Sequence, residues 1–321
     1  MAGIRRVLVT GAHGFIGSHL TRALLEEGYG VGVLHRESSD LRRIRDLEGR
    51  LSHHIADLRD PASVQAAVAE AHPDALVHLA TYYAVEHRPD EVGVMMDTNV
   101  KGTVALLEAS REAGVSLFLN AGTCAVYREK DTPLMETDPV SPQNLYALTK
   151  LQAEEACRFY SDRLGVPAAT LRLFPPYGPA DNERRLIPYV IRSIIAGEEV
   201  RLTSGTQRWD FVYVEDVVAA FVAAMKRPEA AASAGTMNVG TGDPWAVRDL
   251  VTRLAGLTGE KARLLWGAIP HRKNEVWYNS GSWGLIRSVL GWEPRVSLDD
   301  GLERTIAWFR DHPLPAGGSR G

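Results

Sequence analysis

Cysteine is nearly absent from this chain, with only Cys124 and Cys157 among 321 residues. Two are too few for a disulfide framework and lack the spacing of metal ligands, so no stapled scaffold and no bound metal are expected, and a reducing compartment suits the composition. Long apolar runs are missing as well. No uncharged stretch approaches the roughly 20 residues that span a bilayer, and a strand-like Val7-Leu8-Val9 leaves no space for a cleavable leader. A cytoplasmic protein without membrane attachment is the expectation. The net charge of −4 lacks the basic excess that nucleic-acid binding requires, so anionic partners must be held by local groups. No internal repeat or low-complexity tract interrupts the chain. What remains is a hydrophobic content of 45% in a chain long enough for one domain of ordinary size and a smaller second one.

Residues 4–10 read as a buried strand, followed by Gly11-Ala-His-Gly14-Phe-Ile-Gly17 and a helical run over 18–27 with apolar Leu20, Leu24 and Leu25. In this strand–turn–helix setting the first glycine permits the tight turn, the second lets backbone approach a pyrophosphate, and the third allows close packing of helix on strand. Unpaired amides of the helix N-terminus then face the phosphates. Gly11, Gly14, Phe15, Ile16 and Gly17 are therefore candidate cofactor contacts.

A second strand, 30–34, ends in His35-Arg36. An acidic residue at this place bonds the adenosine ribose diol and repels a 2′-phosphate, whereas an arginine accommodates that phosphate. The acid is missing here. NADP(H) is expected over NAD(H), with NAD(H) possible and with an Arg36 that stacks on adenine or faces solvent as the plainer reading. A third strand, 51–56, ends at Asp57-Leu58, where the carboxylate either meets the adenine amino group or caps a loop. The short strand 75–80 ends at Leu79-Ala80, small enough for a dinucleotide to pass over, and His78 inside it reads as a hydrogen-bonded core residue. A helix over 98–114 leads to a strand at 115–120 that breaks at 121–123, placing Thr123 at the carboxyl edge of the sheet, where open parallel sheets bind ligands.

Such alternation predicts an α/β protein with a doubly wound parallel sheet. Pro175-Pro-Tyr-Gly-Pro179 marks a change of domain. The expected division is 1–174, with 209–234 returning to it, for the nucleotide domain; 175–208 and 235–312 for a smaller, mixed substrate lobe; and a Pro/Gly-rich tail at 313–321.

Tyr146-Ala-Leu-Thr-Lys150 is the stretch on which chemistry centres. Residues four apart share a helix face, which sets an ammonium beside a phenol. A fixed cation favours the phenolate and brings a group with an ordinary pKa of roughly 10 into working range. The spacing alone is common. Thr123 would offer a hydroxyl to a substrate oxygen beside that phenol.

Taken together, Thr10-Gly-Ala-His-Gly-Phe-Ile-Gly17, His78-Leu-Ala80, Thr123-Cys-Ala-Val-Tyr127, Tyr146-x-x-x-Lys150, Tyr177-Gly-Pro179 and Arg208-Trp-Asp-Phe-Val-Tyr-Val-Glu-Asp216 resemble the extended short-chain dehydrogenases/reductases, over nearly the whole chain. The match is to the sugar-nucleotide epimerase, dehydratase and reductase branch, and within it to 4-ketoreductases that finish deoxysugars. The resemblance implies a Rossmann sheet with a smaller C-terminal substrate lobe, Tyr146 as general acid/base, Lys150 as its pKa modulator and ribose anchor, and Thr123 as the orienting hydroxyl. It also implies that Arg208 and Arg272 reach a substrate diphosphate, a role suited to a bidentate donor. Tyr82, within 81–87, Arg128 and residues 184–189 shape the remaining pocket.

Three departures matter. Cys124-Ala125 stand where dehydratases of the branch carry an Asp-Glu pair, which argues against water loss. Pro175 replaces an asparagine that holds the nucleotide in many relatives. Arg128 replaces a glycine at the substrate mouth. The expected activity is NADPH-dependent reduction of a nucleotide-linked 4-keto-6-deoxysugar. An NAD-dependent 4-epimerase, a decarboxylase, a reductase of a non-sugar ketone and a non-catalytic nucleotide sensor are the alternatives. A homodimer through two helices per subunit, drawing on apolar residues of 100–109 and 151–156, completes the expectation.

Overall fold

The computed structural model describes residues 3–313, so of the expected tail only Pro313 lies within the described part. Six short apolar runs become β1 (Arg6–Thr10), β2 (Gly30–His35), β3 (Leu51–Ile55), β4 (Ala75–His78), β5 (Leu117–Thr123) and β6 (Ala168–Leu173). With Thr236–Val239 they form one seven-stranded sheet in which every pairing is parallel. Its order is β3-β2-β1-β4-β5-β6 followed by Thr236–Val239. The chain therefore winds outward from β1 in one direction and from β4 in the other, which opens a crevice at their carboxyl ends.

Helices α1 (Phe15–Glu26), α2 (Pro61–Ala71), α3 (Val92–Met96), α4 (Gly102–Ala113), α5 (Leu145–Leu164), α6 (Leu186–Ile195), α7 (Val214–Lys226), α8 (Pro228–Ala234), α9 (Val247–Thr258), α10 (Gly284–Leu290) and α11 (Leu298–Asp311) cover the sheet and build the lobe. Alternation along each strand splits the core. Val7 and Val9 enter the layer shared with α1, α7, α8 and α10, while Leu8 enters the layer shared with α2, α4 and α5. A separate core gathers Tyr177, Ile191 and Val200 with Leu250 of α9 and Phe309 of α11. Beside it, Arg208–Trp209 pairs with Trp245–Ala246 and with Tyr278–Asn279.

Three expectations are corrected. Residues 235–312 were to lie in the lobe, yet Thr236–Val239 pairs with β6 in the main sheet and α10 packs on that strand, burying Ile286 and Leu290 in the first core. The strand carrying Thr123 does not break at 121: it runs through Thr123, and Gly122 permits this because a Cβ there would meet Thr170 Cγ2 at 2.6 Å. Leu151 and Ala156 pack inward, so the large apolar side chains that α5 presents outward are Leu148, Phe159 and, at its end, Leu164. Among the described residues no helix is long and apolar enough to cross a membrane.

Candidate active site at the carboxyl edge of the sheet

The turn after β1 is built for close approach. Gly11 has a φ of +70°, and a Cβ on it would lie 2.6 Å from the backbone nitrogen of Ala80, so the turn rests directly on the segment that follows β4. Gly17 seats α1 on the same turn, where a Cβ would meet Gly11 O at 2.1 Å. Gly14 caps α1 without a side chain, leaving the first-turn amides of Phe15 and Ile16 without an intrahelical partner. These are features of a phosphate cradle.

The β2 and β3 ends supply the next wall. Arg36, Ser38, Asp57, Arg59, Ser63 and the exposed Ile55 line a cleft of about 520 Å³. His35 is buried, its ring bonded between Arg36 O and His53 Nδ1, so Arg36 and not His35 faces the cleft. Asp57 is held by Arg59, whose guanidinium contacts lower its carboxyl to about 2. His13, in the glycine turn, has a buried Nδ1 with no partner and feels His35, Arg36 and Arg43, with burial the largest influence lowering its pKa. Glu37 and Asp60 line the same cleft, so its charge is mixed, and with Arg59 taken up by Asp57 the cation left at the β2 end is Arg36; beside the glycine cradle these residues fit a dinucleotide. Leu58 is buried beneath α4, and Leu79 lies partly buried against the core.

Tyr146 lies in the first turn of α5, which Asn144 caps by accepting from Ala147 N at 2.8 Å. Its ring is half-buried and meets Tyr83 edge-on, 4.9 Å between centroids. Burial, then Tyr83 and Cys124, raises its pKa, and Arg185 is the charge acting against that rise. The expected lowering by Lys150 is thus corrected for the protein without ligand. Lys150 is buried deeper, acting on His78 and Cys157, and burial pulls its own pKa down to about 8. His78 is a core residue, bonded to Thr10 and Thr103 and pushed by burial to about 3. Thr123 closes β5 with its hydroxyl accepting from Ala125 N at 3.2 Å, next to Cys124, whose buried thiol is close enough to act on Tyr146.

The substrate-side residues divide. Tyr82 was expected in the pocket, but the Asn99 side chain accepts from Tyr82 N and donates to Tyr82 O, which turns the Tyr82 phenol to Glu91 and presents Tyr83 to Tyr146. Arg208 donates to Pro244 O at 2.8 Å, and Arg272 and Arg128 are exposed, so none of these three is brought against Tyr146. Arg185, anchored at 3.0 Å to the buried Asp181, is near enough for its charge to act on Tyr146. Asn99 was not singled out from sequence, and Arg185 entered only within the pocket-shaping range 184–189. Asn99 sits in a π-helical turn, Asp97–Lys101, between α3 and α4, a feature frequent at functional sites; its only sequence signal was one amide inside a helical run. Among the described residues no group of three or more His, Cys, Asp or Glu could hold a metal ion.

Residues 7–240 match the model of the NAD dependent epimerase/dehydratase family. The chain is similar to the UDP-glucose 4-epimerase of Mycolicibacterium smegmatis, 32% identical over 316 residues, covering 95% of this chain and 99% of that protein. It is also similar to the CDP-abequose synthase of Salmonella typhimurium, 27% identical over 94% of this chain and 97% of that one. The solved Thermus thermophilus UDP-glucose 4-epimerase complex with NAD superposes with a TM-score of 0.87 at 28% identity, covering 96% of this chain and 100% of that one.

Proposed function

This chain belongs to the NAD dependent epimerase/dehydratase family, and from that premise we propose that it reduces a nucleotide-linked 4-keto-6-deoxysugar with NADPH. The observation that carries the reading is Arg36 at the end of β2, in a cleft that Glu37 also lines. Arg36 lines the cleft where relatives that hold NAD are expected to place an acid, and the buried, unpartnered His13 Nδ1 lies within electrostatic reach of Arg36. Bound there, the dinucleotide supplies the hydride. Gly11, Gly14 and the open amides of α1 would hold its diphosphate, and Lys150 would meet its ribose.

The chain's own chemistry is proton delivery. Tyr146 Oη gives its proton to the carbonyl oxygen at C4 as that oxygen becomes an alkoxide, while the Thr123 hydroxyl orients the same oxygen. A phenol raised by burial is fully protonated at neutral pH, which is the form an acid requires. Arg185, whose charge acts on Tyr146 and which Asp181 fixes, takes the diphosphate or another anionic substrate group. Cys124 and Ala125 offer no carboxyl for water loss, which supports a reductase over a dehydratase. The cellular setting that goes with this chemistry is a cytoplasmic homodimer.

A second reading is 4-epimerisation with retained NAD, favoured by the similarity to UDP-glucose 4-epimerases over most of both chains. Cofactor-oxidation assays over a panel of 4-keto sugar nucleotides, with NADPH and NADH in parallel, separate the two. The proposal expects turnover that consumes NADPH at least tenfold faster than NADH. Interconversion of UDP-sugars without added nicotinamide, with none consumed, would replace it by the epimerase.

A further inference from the structure

Behind the catalytic edge lies a fully buried charged pair with no part in the reaction described above. Arg172 of β6 and Glu154 of α5 are each 5% exposed. Arg172 Nε donates to Glu154 Oε2 at 2.9 Å and Nη2 to Oε1 at 2.5 Å, a bidentate fork. Burying such a pair costs more desolvation than its attraction repays unless the geometry is excellent, and packed apolar residues would serve stability as well. The guanidinium is nevertheless fixed on several sides. Its carbon lies 4.5 Å over the Tyr127 ring, and Tyr127 is itself tied by its hydroxyl to Asn238 Oδ1 at 2.7 Å. Gly122 on the neighbouring strand leaves room for it, since a Cβ there would approach Arg172 Cγ to 3.3 Å. Nη1 is buried without a partner, and both fork hydrogen bonds, from Nε and Nη2, go to Glu154.

Glu154 lies one helical turn beyond Lys150, and Tyr146 one turn before it, so the three share a face of α5 with the lysine in the middle. We propose that Arg172 is a positioning residue for Lys150, acting by occupying the Glu154 carboxylate that would otherwise draw the ammonium along the helix, away from Tyr146 and the cofactor ribose. The proposal rests on the reading that Lys150 serves the cofactor.

The other groups acting on Lys150 leave Glu154 as the decisive one. His78 of β4 is kept neutral by burial, and the Cys157 thiol, one further turn along α5, is pushed by burial up to about 12 and stays protonated. Glu154 is therefore the single negative charge among the groups that act on Lys150 at neutral pH, and Arg172 reaches the lysine only through it.

The test follows the Lys150 side-chain carbon by NMR in the full-length protein with ¹³C-labelled lysine, assigned among its six lysines by Lys150→Arg. Dinucleotide dissociation constants are measured alongside. In Arg172→Met the midpoint rises by about one pH unit or more as the freed carboxylate pairs with the lysine, and dinucleotide binding weakens several-fold; Arg172→Lys restores both. Glu154→Gln, which keeps the shape, moves the midpoint the other way, a pair of opposite shifts that a merely structural role does not produce. An unchanged midpoint in Arg172→Met, or equal shifts of one sign in Arg172→Met and Glu154→Gln, overturns the proposal. Should Arg172→Met not fold, a Glu154→Gln midpoint equal to wild type overturns it as well. Unaltered dinucleotide binding in Lys150→Met would instead remove the premise that Lys150 serves the cofactor, while the midpoints still decide the electrostatics.

Discussion

Tyr146 and Lys150 are one turn apart on α5, yet they are burdened differently. The phenol is half-buried, with Tyr83 against it and a pKa raised by burial. Replacing Tyr146 with Phe removes the proton and little else, so turnover should fall by about 10²–10⁴-fold while dinucleotide affinity, read by titration, stays within error. Lys150 carries the opposite burden. Its folded value of about 8 lies below the 10.5 of an unperturbed lysine, so between those values the unfolded chain holds more protons and stability rises with pH. The cost is full at neutral pH and is relieved as pH climbs through 8 toward 10.5. Lys150→Met should therefore raise the melting temperature at pH 7, by an amount reflecting up to roughly 3 kcal/mol, and weaken dinucleotide binding at the same time. Calorimetry showing no stabilisation would mean that the ammonium is better solvated than its burial indicates.

At the scale of elements, the glycine turn is what a side chain would spoil first. Gly17→Ala places a Cβ 2.1 Å from Gly11 O and 2.8 Å from Ala12 Cα, so α1 must back away from β1. A loss of about 1–3 kcal/mol is expected, together with weakened dinucleotide binding, and thermal melts with and without NADPH measure both. This turn was legible in the sequence because glycine spacing, strand and helix periodicity all point to the same geometry. The Tyr146/Lys150 pair was legible for the same reason, as helical spacing alone puts the two residues on one face.

Other parts were not legible, for reasons of register and long-range packing. Thr236–Val239 looks like any short mixed-lobe strand until it pairs with β6, more than sixty residues earlier. Tyr82 and Tyr83 are adjacent and alike; only the grip of Asn99 on the Tyr82 backbone decides which ring reaches Tyr146. Arg185 and Arg208 are both arginines in polar segments, and the difference lies in Asp181, which anchors the one, and Pro244 O, which takes up the other.

For the whole molecule, the first domain and the lobe are tied at Asp210. Its buried carboxylate accepts from Thr241 N, Thr241 Oγ1, Gly242 N and Gly281 N, joining the loop after Thr236–Val239 to the strand that carries Arg208. Asymmetry appears on the outer face of α5, where Leu148 and Phe159 are 40% and 55% exposed on a stripe shared with Gln152 and Glu155. The homodimer proposed above is expected to use this face, so Phe159→Asp should shift light-scattering mass from dimer toward monomer at micromolar concentration, whereas a monomeric wild type would overturn the proposal.

The central claim, that Tyr146 completes a hydride transfer from NADPH to a sugar carbonyl, is tested most directly with NADPH deuterated on the transferred position and a nucleotide-linked 4-keto-6-deoxysugar. Mass spectrometry should find one deuterium on C4 of the product with wild type, and labelled product forming about 10²–10⁴-fold more slowly with Tyr146→Phe. Product without label, or equal rates of labelled product with the two proteins, would contradict it.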